Sequence, residues 1–86
     1  MIEMYERDGC GFCAMARRIF ARHDVQPTFI NIWQIDGARD EMIARSGGRT
    51  TVPQIFIHGE HIGGATDLDA LERQGKLAEL LASSAS

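Results

Sequence analysis

At 86 residues and 44% hydrophobic, with a net charge of −3, the chain suits one small folded domain. No apolar run approaches the ~20 residues of a membrane span. The acidic balance argues against nucleic acid, because phosphate binding calls for a basic excess.

The start, "MIEMYERD", places acids where a signal peptide needs an apolar stretch, so a cytoplasmic protein is expected. Residues 2–6, "IEMYE", are short, partly alternating and aromatic, and predict a strand. From Phe12 to His23 the positions Phe12, Ala16, Ile19, Phe20 and His23 repeat at helical spacing, with Cys13, Ala16 and Phe20 on the inward face. "VQP" (25–27) ends that helix, and "TFINI" (28–32) predicts a second strand. Trp33 then reads as packing after the strand. Asp36 is placed to cap a helix through about Ser46, with Met42 and Ile43 inward and Gly47–Gly48 as its stop.

"VPQIFIH" (52–58) predicts a third strand, with Pro53 tolerated only at its start because proline cannot donate to a ladder. Gly59–Glu60 is the expected hairpin turn and "HIGG" (61–64) the returning strand. Thr66 is the expected cap of the next helix, with Asp69 three residues on, Leu68 and Leu71 inward, and Gly75 at the end. Leu77, Leu80 and Leu81 point to a final short helix, and "ASSAS" (82–86) to a frayed tail. The order β-α-β-α-β-β-α gives an α/β fold: a four-stranded mixed sheet with helices on both faces.

The chemistry concentrates in "DGCGFCAMARR" (8–18), which holds the only two cysteines. In a reducing compartment, cysteines three apart point to catalysis or metal rather than to a structural staple. On a helix, positions i and i+3 hold their Cβ atoms roughly 5–6 Å apart, and a disulfide needs about 3.5–4.5 Å, so a small adjustment closes the bond. Cys10 at the helix entrance is the exposed, attacking thiol; Cys13, one turn in, is the resolving one. Lowering a thiol pKa from ~8.5 to ~7 takes about 2 kcal/mol, and a helix N-terminus supplies only ~0.3–1 kcal/mol. Arg7 and the loop N–H groups, including that of Gly11, are candidates for the remainder. The competing reading is a zinc site built from Cys10, Cys13, His58 and His61, which lacks a second tight ligand pair at finger-like spacing. The seven arginines within residues 1–49 (7, 17, 18, 22, 39, 45 and 49) are balanced there by seven acids and read mainly as solvated helix faces.

The segments "MYERDGCGFC", "RSGGRTTVPQIFIHGEHIGGATDLDAL" and "GKLAELL", in that order, resemble a glutaredoxin, most of all the small bacterial dithiol members of the glutaredoxin 3 kind. The resemblance spans nearly the whole chain. It implies a thioredoxin-like fold over residues 1–82, with 83–86 as tail. It also implies a redox activity in which Cys10 takes glutathione from a mixed disulfide and a second glutathione releases it. Protein disulfides would use both Cys10 and Cys13.

A glutathione groove follows from the same resemblance. Pro53 falls on the family's cis proline. Thr51 and Val52, just before it, are placed to pair with the cysteinyl unit of the tripeptide, and Phe12 is an aromatic wall. Thr66 and Asp67 open a helix whose free N–H groups suit the γ-glutamyl carboxylate, while the Asp67 carboxylate suits the ligand's ammonium. Arg7 stands where the family commonly has lysine and, with Arg49 and Gln54, is assigned to the glycyl carboxylate.

The motif Cys-Gly-Phe-Cys departs from the family's common Cys-Pro-Tyr-Cys and resembles the Cys-Gly-Phe-Ser of monothiol members. Such members, and some dithiol ones with a small residue in this slot, hold a [2Fe–2S] cluster between two protomers, each giving its first cysteine and a glutathione. Cys10 would be this chain's ligand. A monomer is expected otherwise, with glutathione and glutathionylated or disulfide-containing proteins as partners. The "WSGF"-type segment of donors served by thioredoxin reductase is missing from the sequence.

Overall fold

Strand β1 (Ile2–Glu6) lies in the interior of a four-stranded sheet of order β2-β1-β3-β4, in a computed structural model that describes residues 1–83. It runs parallel to β2 (Thr28–Asn31) and antiparallel to β3 (Gln54–Ile57), and β3 pairs antiparallel with β4 (Glu60–Gly63). The helices are α1 (Gly11–Arg22), α2 (Ala38–Arg45), α3 (Ala65–Arg73) and α4 (Lys76–Ala82). The expected mixed sheet is present, and the final helix foreseen from Leu77, Leu80 and Leu81 makes four helices in all among the described residues. Of the expected tail, residues 84–86 lie outside the described residues.

Strand alternation sorts the core into two layers. Met4, Ile55 and Ile57 project to one side and pack with Cys13, Ala16, Ile19 and Phe20 of α1, Ala65 and Leu68 of α3, and Leu77 of α4. Tyr5 and Phe56 project to the other side and pack with Met42 of α2. The helix stripe read at Cys13, Ala16, Ile19 and Phe20 is therefore the buried face, whereas Phe12, one residue into α1, stands 60% exposed.

Polar contacts seat the helices on these layers. The Tyr5 hydroxyl donates to the Glu41 carboxylate and accepts from Arg45 Nη1 at 2.9 Å; Arg45 also donates to Glu3 at 3.0 Å and lies over the Phe56 ring. Burial, then the Glu41 contact, raises the Tyr5 pKa, and the Glu3 and Tyr5 contacts raise that of Arg45. On the opposite layer His23 and Arg22 of α1 both meet Glu72 of α3.

Three local expectations are corrected. The cap of α2 is Gly37, at φ 78°, not Asp36, because the chain turns left-handed between the strand and the helix. The hairpin turn is His58–Gly59, not Gly59–Glu60: both residues have positive φ, as a type I′ turn requires, so β4 begins at Glu60. The cap of α3 is Gly64, not Thr66, and the third helical residue that reaches back is Asp67, not Asp69. The Asp67 carboxylate accepts from the Gly64 N–H at 2.9 Å.

Candidate active site

The loop from β1 delivers Cys10 to the start of α1, and the first turn of the helix places Cys13 beneath it. Cys10 is the N-cap, with an extended backbone, and its sulfur accepts the Cys13 N–H at 3.1 Å. The two residues form a disulfide with Cα atoms 5.2 Å apart, within the usual range. Cys13 is 2% exposed, whereas Cys10 is only partly buried. The asymmetry read from the spacing is present: one cysteine is partly exposed at a helix N-terminus and its partner lies in the core.

In the reduced protein the same N–H is placed to donate to a Cys10 thiolate. A hydrogen bond to a charged group contributes roughly 1.5–3 kcal/mol, and together with the ~0.3–1 kcal/mol of the helix N-terminus it covers the ~2 kcal/mol required. Arg7 engages other groups. Its Nη1 donates to the Asp8 carbonyl at 3.0 Å, and its guanidinium lies 5.3 Å from the centroid of the Trp33 ring.

Beside the sulfur runs the backbone that precedes Pro53. The Val52 carbonyl oxygen is 3.9 Å from Cys10 Sγ, and the Val52–Pro53 peptide is cis. Thr51 and Val52 line two clefts that meet along this backbone. One, of about 270 Å³, is walled by Phe12, Pro53, Arg49 and the Gly64–Thr66 start of α3. The other, of about 350 Å³, is walled by Arg7, Ile32, Trp33, Arg39 and Thr50. The two clefts share the Thr51–Val52 backbone that approaches Cys10, with a helix N-terminus near one end and two guanidiniums at the other; Cys10 and Cys13 themselves line a third cleft, of about 500 Å³, with Glu6–Gly9, Ala14 and Arg17.

Not every residue assigned to this groove lies where it was expected. Gln54 is corrected from ligand contact to support. It is fully buried; its amide nitrogen donates to the Thr51 carbonyl at 3.0 Å, and its amide oxygen meets His61 Nε2 at 2.7 Å. Arg49, grouped with Arg7 in the sequence reading, lies apart from it, with its Nη2 4.0 Å from Asp67 Oδ2 in the cleft at the start of α3. Trp33 is corrected from packing to groove wall, being 63% exposed. Arg39 and Thr50 were missed; Arg39 carried no signal beyond being one arginine among seven. The zinc set does not assemble: among the described residues no three His, Cys, Asp or Glu side chains come together, and His58 Nδ1 meets the Met1 ammonium instead.

The His61–Gln54–Thr51 chain makes groove support sensitive to acid. Burial, then the nearby Arg49 charge, lowers the His61 pKa below 6.5, partly offset by Asp67. The fold therefore favours the neutral ring, which donates Nε2–H to Gln54. Its contribution to stability is complete above about pH 6.5, the unfolded value. It is lost as pH falls toward the lower folded value, because the unfolded chain takes up the proton first. Urea unfolding should show wild type losing more stability between about pH 7.5 and 5.5 than His61→Gln does; parallel losses would remove His61 as the cause.

A redox-active cysteine pair at a helix N-terminus, set against a cis-proline loop on a thioredoxin-like fold, defines a thiol–disulfide oxidoreductase. The glutaredoxin family model matches residues 2–62. Glutaredoxin 3 of Escherichia coli (strain K12) is 44% identical over 80 residues, covering 93% of this chain and 95% of that protein. The solution structure of glutaredoxin from Brucella melitensis has a TM-score of 0.79 at 45% identity, covering 93% of this chain and 86% of that one. The crystal structure of a buckwheat glutaredoxin–glutathione complex has a TM-score of 0.84 at 28% identity, covering 93% and 74%. The chain belongs to the glutaredoxin family.

Proposed function

We propose that the chain reduces glutathione mixed disulfides and protein disulfides at the expense of glutathione. The observation that carries this reading is the partly exposed Cys10, whose sulfur accepts the Cys13 N–H at 3.1 Å beside the Thr51–Val52 backbone. A glutathione complex of a similar fold, in buckwheat, supports the choice of thiol.

In the proposed cycle the Cys10 thiolate attacks the glutathionyl sulfur of a mixed disulfide. A Cys10–glutathione disulfide forms, and the protein thiolate leaves and takes a proton. A second glutathione thiolate attacks the glutathionyl sulfur, forms oxidised glutathione and frees the Cys10 thiolate. With a protein disulfide, Cys10 forms the mixed disulfide. The Cys13 thiolate then attacks Cys10 Sγ, expelling the second protein thiolate and closing the Cys10–Cys13 disulfide, which two glutathiones reduce in turn, leaving as oxidised glutathione.

Each part of the tripeptide has a complement in the groove. Thr51 and Val52 supply backbone pairing for the cysteinyl unit, and Phe12 and Pro53 supply apolar walls. The γ-glutamyl carboxylate faces the free N–H groups at Thr66 and Asp67, with Arg49 nearby, and its ammonium meets Asp67. The glycyl carboxylate meets Arg7 and Arg39. Such a protein would work in the cytoplasm, where glutathione keeps thiols reduced. No helix among the described residues is long and apolar enough to cross a membrane.

Asp67→Ala tests the γ-glutamyl end. Losing about 1 kcal/mol of charge-assisted bonding raises KM for a glutathionylated peptide roughly fivefold, with kcat retained. An unchanged KM would take Asp67 out of the groove.

A second reading, a [2Fe–2S] carrier, is favoured by the open surface around Cys10. Beyond its chain neighbours and the backbone of its own helix, nothing lies within 4 Å of the position a Cβ would take on Gly11, and Phe12 is 60% exposed. Four thiolates complete such a cluster, and with Cys13 buried this chain offers only Cys10. A second copy and two glutathiones would have to supply the rest. Anaerobic reconstitution with iron, sulfide and glutathione, followed by absorption and sizing, decides: a coloured dimer supports the carrier, and a colourless monomer ends it.

A further inference from the structure

We propose that Trp33 is a positioning residue for the carboxylate end of the groove, holding Arg7 ready by stacking. The inference rests on the glutathione reading above. Trp33 belongs to neither core cluster, and at 63% exposure it gives up most of the burial that usually justifies a tryptophan. It stands instead in the cleft that contains Arg7 and Arg39, with the Arg7 guanidinium 5.3 Å from the ring centroid.

The way Trp33 is anchored fits this role. Its backbone N–H donates to Asn31 Oδ1 at 2.9 Å, and the same Asn31 side chain donates through Nδ2 to Asp8 Oδ1 at 3.0 Å. One amide therefore ties the turn carrying the indole to the loop that carries Arg7 and leads to Cys10. Arg7 and Arg39 make no ion pair among the described residues. A carboxylate partner would hold Arg7 equally well but would consume its charge and its N–H donors. An aromatic face holds the guanidinium while leaving the edge donors that are not on the Asp8 carbonyl free for a planar anion. Ordering the long side chain in advance removes that entropy cost from binding.

The test compares two glutathionylated peptides, one with the free glycyl carboxylate and one with a glycyl amide. Wild type is expected to show a lower KM for the acid. Trp33→Ala should raise KM for the acid about fivefold, leave kcat within about twofold, and raise KM for the amide by clearly less than for the acid. Trp33→Phe should restore the acid KM to within about twofold of wild type. An unchanged acid KM in Trp33→Ala, or an equal rise for both substrates, overturns the inference while leaving the glutathione reading in place. If wild type itself does not distinguish acid from amide, the carboxylate assignment fails and this inference falls with it.

Discussion

Cys10→Ser is expected to reduce turnover of a glutathione mixed disulfide by at least about a thousandfold, equivalent to roughly 4 kcal/mol of barrier. Serine at this position keeps the Cys13 N–H contact, but its hydroxyl is not ionised at neutral pH and forms no disulfide. The buried partner behaves differently. Cys13 is 2% exposed, so a bulky disulfide reaches Cys10 first, and the monothiol cycle never uses Cys13. Cys13→Ser therefore retains activity on a glutathionylated peptide while losing Cys13-dependent reduction of protein disulfides. Assaying both variants on both substrates checks the assignment; equal losses on both would contradict it.

Gly63→Ala carries the second large effect, through stability. Gly63 has φ 118°, a conformation that L side chains rarely adopt, and a Cβ there would collide with the Asp67 carboxylate. The backbone strain costs ~1–3 kcal/mol. Driving Asp67 away from the Gly64 N–H removes a helix cap, for ~1 kcal/mol more. A total of about 3 kcal/mol lowers Tm by roughly 10–20 °C in a domain of this size. The two contributions separate in a double-mutant cycle, because in the Asp67→Ala background the collision and the cap are both absent. Gly63→Ala should then cost about 1 kcal/mol less. Full additivity in thermal or urea unfolding would show that Asp67 does not mediate the effect.

The sequence was most informative where one physical rule governed a segment. Alternation in "IEMYE" and helical spacing at Cys13, Ala16 and Phe20 correctly located β1 and the inward face of α1, since burial dominates at both places. Capping was less legible. Asp36 and Thr66 have the right chemistry, but glycines at 37 and 64 take the caps, because the approach of the chain to each helix is fixed by tertiary geometry. The hairpin was misplaced by one residue because His58, not Glu60, accepts the positive φ.

In the site, adjacency in sequence misled twice. Gln54 follows Pro53, yet strand alternation turns it onto the buried α2 side, where it braces Thr51. Arg49 lies near Thr51 in the chain but crosses to Asp67 in space. Trp33 enters the groove from the segment between β2 and α2 and Arg39 from the first turn of α2, a long-range placement with no local signature.

The central claim is that a helix N-terminal N–H keeps the Cys10 sulfur ionised near neutrality. The rate of Cys10 alkylation in the reduced protein, followed against pH, tests it most directly. The expected titration midpoint lies well below that of an ordinary thiol. A midpoint near the ~8.5 of an unperturbed thiol would contradict the claim.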